Sequence, residues 1–133
     1  GRLIVASADA HRPPGRESAP ADEERLPTAA DFQEMRDAYD AVAPDPAHFE
    51  EFAGRVTAMV HELPGWTDEL RSLQAPTLLI FGDRDFSSLG DVAELADLLP
   101  GPQVAVLPGA THIDVVRRSA EVLGLITRFL DGR

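Results

Sequence analysis

The stretch Ala75-Pro76-Thr77-Leu78-Leu79-Ile80-Phe81-Gly82-Asp83-Arg84-Asp85 constrains the fold more than any other part of the chain. A proline precedes five residues that are all apolar or β-branched, and Gly82 then leads into two carboxylates set one residue apart. A short, unbroken apolar run rich in Leu, Ile and Phe predicts a strand with both faces buried, as in a parallel sheet covered by helices. Such a strand leaves side chains free to meet a ligand chiefly at its carboxyl end. Asp83 and Asp85 lie at that end. An aspartate there also stabilises turns, so the strand by itself leaves both roles open.

A second apolar run, Val104 to Leu107, leads into Pro108-Gly109-Ala110-Thr111-His112. Between the two runs, Val92, Leu95, Ala96 and Leu99 recur on one helical face, and Ser88 with Asp91 forms a capping-box pattern at its start. The predicted order is strand, acidic turn, helix, strand, histidine loop, helix. That order brings Asp85 and His112 to the same edge of one sheet. A carboxylate that orients an imidazole, with the imidazole acting as base, is the supporting pair of a nucleophilic triad.

These pieces, with Leu98-Leu99-Pro100 and Phe129-Leu130, make the chain from Ala75 to Arg133 resemble the C-terminal part of an α/β-hydrolase-fold enzyme. The resemblance implies an α/β class and a partial α/β-hydrolase fold: about three parallel strands with flanking helices, plus a helical lid segment. It implies Asp85 as the triad acid, with Asp83 as the rival, and His112 as the base. In the family the nucleophile precedes the acid, and the acid precedes the histidine. The implied chemistry is hydrolysis of an ester or related acyl bond in a small-molecule substrate, with no cofactor and no metal. The fold hosts other reactions too, so the reaction class stays open.

The family's nucleophile sits in a Gly-x-Ser-x-Gly elbow, and no such motif occurs here. Ser7, Ser18, Ser72, Ser87, Ser88 and Ser119 are the serines, and none is flanked by glycines two residues to either side. A serine beside its own orienting acid has no base in line, which sets Ser87 and Ser88 aside. The expectation is a portion of a longer hydrolase that supplies acid and histidine and is inactive without the nucleophile half. The alternative is a non-catalytic remnant, or a binding or oligomerisation module, of the same fold. Its first strand, Leu3 to Ala6, would then offer a bare edge to a second copy.

The resemblance divides the chain into residues 1–15 (first strand and exit loop), 16–74 (helical lid) and 75–133 (core with the acid and histidine loops). His11 to Ala21 reads as loop, with His11 solvated. Phe32, Met35 and Tyr39 mark a helix from Thr28 to Val42, with Thr28 or Asp31 at its start. Asp45 and Pro46 open the next helix, on which Phe49, Phe52, Val56, Met59 and Val60 share a face, and Leu63-Pro64-Gly65 ends it. Trp66 to Leu70 starts a third helix with Thr67 as cap. The aromatic stripe fits either a lid core or an acyl or alcohol pocket. His48 and His61 lie at no metal-binding spacing. After His112, Val115, Val116, Val122, Leu123, Ile126, Phe129 and Leu130 fit a helix packed on the sheet. Gly124 weakens it by about 1 kcal/mol against Ala and suits close approach to a strand.

Charge narrows the partners. The 133 residues carry 23 acidic and 12 basic side chains, a net charge of −11, and every basic residue other than histidine is Arg. That balance argues against nucleic acid and anionic membranes. With no cysteine there is neither a disulfide framework nor a thiolate metal site. No apolar run approaches the roughly 20 residues of a membrane span, and no signal segment is visible, so a cytoplasmic location is expected.

Overall fold

In the computed structural model, which describes residues 1–8, 23–62 and 66–132, three parallel strands lie in the order of the sequence. They are β1 (Leu3–Ala6), β2 (Thr77–Arg84) and β3 (Gln103–Thr111). Six α-helices are described: α1 (Ala29–Val42), α2 (Phe49–Glu62), α3 (Thr67–Ser72), α4 (Leu89–Leu98), α5 (His112–Arg117) and α6 (Ser119–Asp131). Short 3-10 turns occupy Glu23–Arg25 and Pro46–His48. The expectations for 11–21, including His11, and for 63–65 lie outside the described residues.

The central strand behaves as its composition predicts. Leu78, Leu79, Ile80 and Phe81 are all buried. Because side chains alternate along a strand, they feed two separate cores. Leu78 and Ile80 pack with Leu107, Ala110, Val115 and Phe129, supported by Ile4, Val122, Leu125 and Ile126. Leu79 and Phe81 pack with Val92, Leu95 and Leu99, supported by Val5, Leu70, Leu73 and Ala96. Helices α5 and α6 therefore cover one face, and α3 and α4 the other. Each such side chain withdrawn from water contributes about 1.5–3 kcal/mol, and β2 supplies fully buried residues to both cores.

Strand β3 runs further than the apolar pattern indicates. Pro108, Gly109 and Ala110, expected as loop, form an irregular strand segment. β2 advances from Gly82 to Arg84 while β3 advances from Leu107 to Thr111, so the extra length of β3 is taken up in a bulge. Gly109 has φ +63 there, a left-handed geometry that glycine adopts without penalty. Beside the bulge the two backbones nearly touch: a Cβ at Gly82 would lie 2.0 Å from the Ala110 carbonyl oxygen.

Three further readings change. The helix expected after His112 is two helices, broken at Arg118. Gly124 meets no neighbour within 4 Å of a built Cβ, so it does not serve close packing on a strand. Thr67 is the first residue of α3 and not its cap; Trp66 holds that position without a side-chain capping bond.

The chain divides into two compact units, Gly1–Leu26 with Gly65–Arg133, and Pro27–Pro64. Helix α3 thus groups with the sheet. Within the second unit, Thr28 and Asp31 form a capping box at α1, and Asp45 accepts a bond from the Ala47 amide. Tyr39 meets Phe49 edge-on at 5.5 Å and stacks on Phe52 at 5.2 Å, while Arg36 pairs with Glu50 and lies over the Phe49 ring. Phe32, Met35, Phe52, Val56 and Met59 are exposed. Among the described residues no helix is long and apolar enough to cross a membrane.

The contact at Gly82 yields a test. A methyl group there must displace backbone, so Gly82→Ala is expected to destabilise the chain by about 3 kcal/mol or more. Urea unfolding of the two proteins, compared by their midpoints, measures it.

Candidate active site

Parallel strands β2 and β3 end on the same side of the sheet, and each hands its chain to a turn carrying a titratable side chain. After β2, the Asp85 amide donates to the Gly82 carbonyl at 3.3 Å and closes a tight turn. That turn directs the Asp85 side chain inward, where it is 1% exposed. After β3, Thr111 caps α5 and His112 becomes its first residue. The two side chains meet there: His112 Nδ1 lies 3.0 Å from Asp85 Oδ1. Asp85, and not its rival Asp83, is the carboxylate bonded to His112.

Each turn is held by its own set of bonds. The Arg25 guanidinium donates to the Asp85 carbonyl at 2.9 Å and, more weakly, to the Asp83 carbonyl at 3.4 Å. On the histidine side, Asp114 Oδ2 accepts from the Thr111 amide at 3.0 Å and from its hydroxyl at 2.9 Å. Arg118 grips the bulge, donating to the carbonyls of Pro108 at 2.8 Å and Gly109 at 2.9 Å. The register of the bulge and the start of α5 are therefore fixed together.

The carboxylate of Asp85 is met by three donors. Oδ1 accepts from His112 Nδ1 and from the Phe86 amide at 2.7 Å, and Oδ2 accepts from the Ser7 hydroxyl at 2.6 Å. Burial opposes ionisation of this group. The bonds from His112 and Ser7, the charge of the His112 ring and the Phe86 amide outweigh it, and hold the carboxyl below its ordinary value. Asp114 is also held low, by the Thr111 amide and hydroxyl against a smaller cost of burial, with Arg118 and Arg117 adding to the effect.

An ionised carboxylate only accepts hydrogen bonds. His112 must therefore carry a proton on Nδ1, so the uncharged form of the ring has its lone pair on Nε2. Nε2 makes no hydrogen bond among the described residues, and the His112 side chain is 32% exposed. Phe86 stacks on the imidazole at 4.3 Å with the rings 16° apart, covering one face of the base. The arrangement fixes the tautomer of the ring and leaves the unprotonated Nε2 open.

Ser7, Phe86 and Arg25 were missed as site residues. The rule that singled out Asp85, a polar residue at the carboxyl end of a parallel strand, applies equally to Ser7 after β1. Phe86 stands beside Asp85 but belongs to no periodic pattern, and Arg25 lies in a polar stretch without a sequence signal. Ser88 caps α4 with Asp91 in a reciprocal box, as the spacing predicts. Asp83 Oδ1 is buried without a hydrogen-bond partner among the described residues. Among those residues no group of three or more His, Asp or Glu gathers as a metal site.

The sequence matches no protein-family model and no curated protein. Among solved structures, the chain is similar to MGS-MChE2, an α/β hydrolase enzyme from the metagenome of sediments from the lagoon of Mar Chica, Morocco, with a TM-score of 0.58 at 15% identity. The chain has an α/β fold, three parallel strands with flanking helices, similar to part of that enzyme. The match covers 99% of this chain and 50% of the other, so the chain spans half the length of that enzyme.

The lowered pKa of Asp85 carries a pH signature. A carboxyl whose value is lower folded than unfolded stabilises the protein above the unfolded value, about pH 4 for aspartate. That contribution disappears as pH falls through the folded value. The melting temperature of the native chain is expected to fall steeply below about pH 4, and that of Asp85→Asn to start lower and fall less. Thermal unfolding across the acid range measures both, with Asp114 accounting for part of the slope that remains.

Proposed function

We propose that this chain supplies the acid and the general base of an α/β-hydrolase-type active site that cleaves esters or related acyl compounds. The nucleophile is contributed by residues outside this sequence. The observation that carries this reading is the bond from His112 to the buried Asp85, which leaves Nε2 as an available base. In the proposed reaction the nucleophile attacks the acyl carbon as Nε2 takes its proton. Asp85 holds the ring in the required tautomer and stabilises the imidazolium that forms. His112 then returns the proton to the leaving group, and a water repeats the cycle to release the acid.

A second reading rests on the end strand of the sheet. Among the described residues β1 pairs only with β2, and its outer edge is open. A second copy pairing along that edge would give a symmetric dimer. Light scattering on the chain at high concentration distinguishes this reading, which requires twice the monomer mass.

The hydrolase reading is tested by turnover. Produced together with the nucleophile-bearing half of an α/β-hydrolase fold, the chain is expected to hydrolyse short p-nitrophenyl esters. His112→Ala and Asp85→Asn should each lower kcat/KM by on the order of 10,000-fold. Activity that survives His112→Ala contradicts the proposal.

A further inference from the structure

We propose that Ser7 is a positioning residue for the Asp85–His112 pair, its hydroxyl fixing the rotation of the carboxylate so that Oδ1 faces the imidazole. The inference rests on the hydrolase reading for its catalytic meaning, but the geometry is independent of it. The His112 and Phe86 bonds both arrive at Oδ1. Turning the carboxylate about its Cβ–Cγ bond carries Oδ1 away from both donors, and neither of those bonds holds Oδ2. Ser7 supplies the second point of attachment, 2.6 Å from Oδ2. At 1% exposure, Asp85 has little access to bulk water as a substitute donor.

The backbone of Ser7 points the same way. Its φ of 49 makes it the one non-glycine residue in left-handed geometry among the described residues. Glycine would adopt that conformation without strain, but glycine brings no hydroxyl. The chain instead keeps a strained serine, anchored by its amide to the Ile80 carbonyl at 2.9 Å. Strain of this kind persists where surrounding bonds over-determine it and gathers at functional sites. Because Ser7 directly follows β1, its hydroxyl makes all three strand ends contribute to one hydrogen-bonded unit.

Two substitutions separate the hydroxyl from the backbone. Ser7→Gly removes the hydroxyl and relieves the strain, whereas Ser7→Ala removes the hydroxyl and keeps the strain. The readout is exchange of the His112 Nδ1 proton with water, followed by NMR on the chain labelled with nitrogen-15 in histidine, with His112→Gln identifying the signal. Exchange is expected to be slow in the native chain and about tenfold faster or more in both variants. Ser7→Gly should nevertheless melt at a higher temperature than Ser7→Ala. A merely structural role predicts that protection follows stability, so exchange in Ser7→Gly within about twofold of native overturns the inference. Free exchange in the native chain overturns it as well. Ester turnover that depends on His112 while Ser7→Gly keeps its protection would sink this inference alone. Protection lost in both variants without any turnover would sink the hydrolase reading alone.

Discussion

A carboxylate removed from water must be met by donors, because the cost of burying an unpaired charge exceeds what a small domain has to spare. Asp85 is such a group, and its surroundings are organised by that requirement. Its three donors come from three places in the chain: Ser7 after the first strand, Phe86 in its own turn, and His112 after the third strand. No local segment can provide them. The charge is stable only when the sheet has assembled with its strands in register, so the fold and the site specify one another. The same bonds that stabilise the anion select the imidazole tautomer, and that selection is the chemical content of the pair.

What lets the strands deliver these groups is a close contact in the backbone. Gly82 faces the Ala110 carbonyl at a separation that admits no side chain. The neighbouring bulge at Pro108–Ala110 absorbs the extra length of β3 before Thr111 starts the next helix. Arg118 reaches back to two carbonyls of that bulge, and the Thr111–Asp114 box fixes the helix start. A histidine held this way has little freedom to leave Asp85.

The parts of the fold that were legible in the sequence are those where one physical demand dominates. Leu78 to Phe81 read as a doubly buried strand because a short apolar run bounded by Pro76 and Gly82 suits a covered parallel sheet. Ser88 with Asp91, and Asp45 with Pro46, read correctly because capping is a local exchange of hydrogen bonds. The juxtaposition of Asp85 and His112 followed from strand order alone. What was not legible depends on long-range geometry. The bulge hides in Pro108-Gly109, which reads as loop unless the partner strand is known. The break at Arg118 is invisible because the apolar spacing continues across it. Gly124 carries no packing role although its place in a helix invited one. Ser7 shows no motif, since its importance comes from a bond to a residue far along the chain.

The nitrogen of His112 that carries the proton reveals whether Asp85 orients the ring. Nitrogen-15 NMR of the histidine-labelled chain, at a pH where the ring is neutral, distinguishes the two tautomers by the shifts and couplings of the ring nitrogens. A single tautomer with the proton on Nδ1 and an unprotonated Nε2 is the predicted result. A proton on Nε2, or the mixture shown by free histidine, would contradict it, because Asp85 would then not be orienting the base.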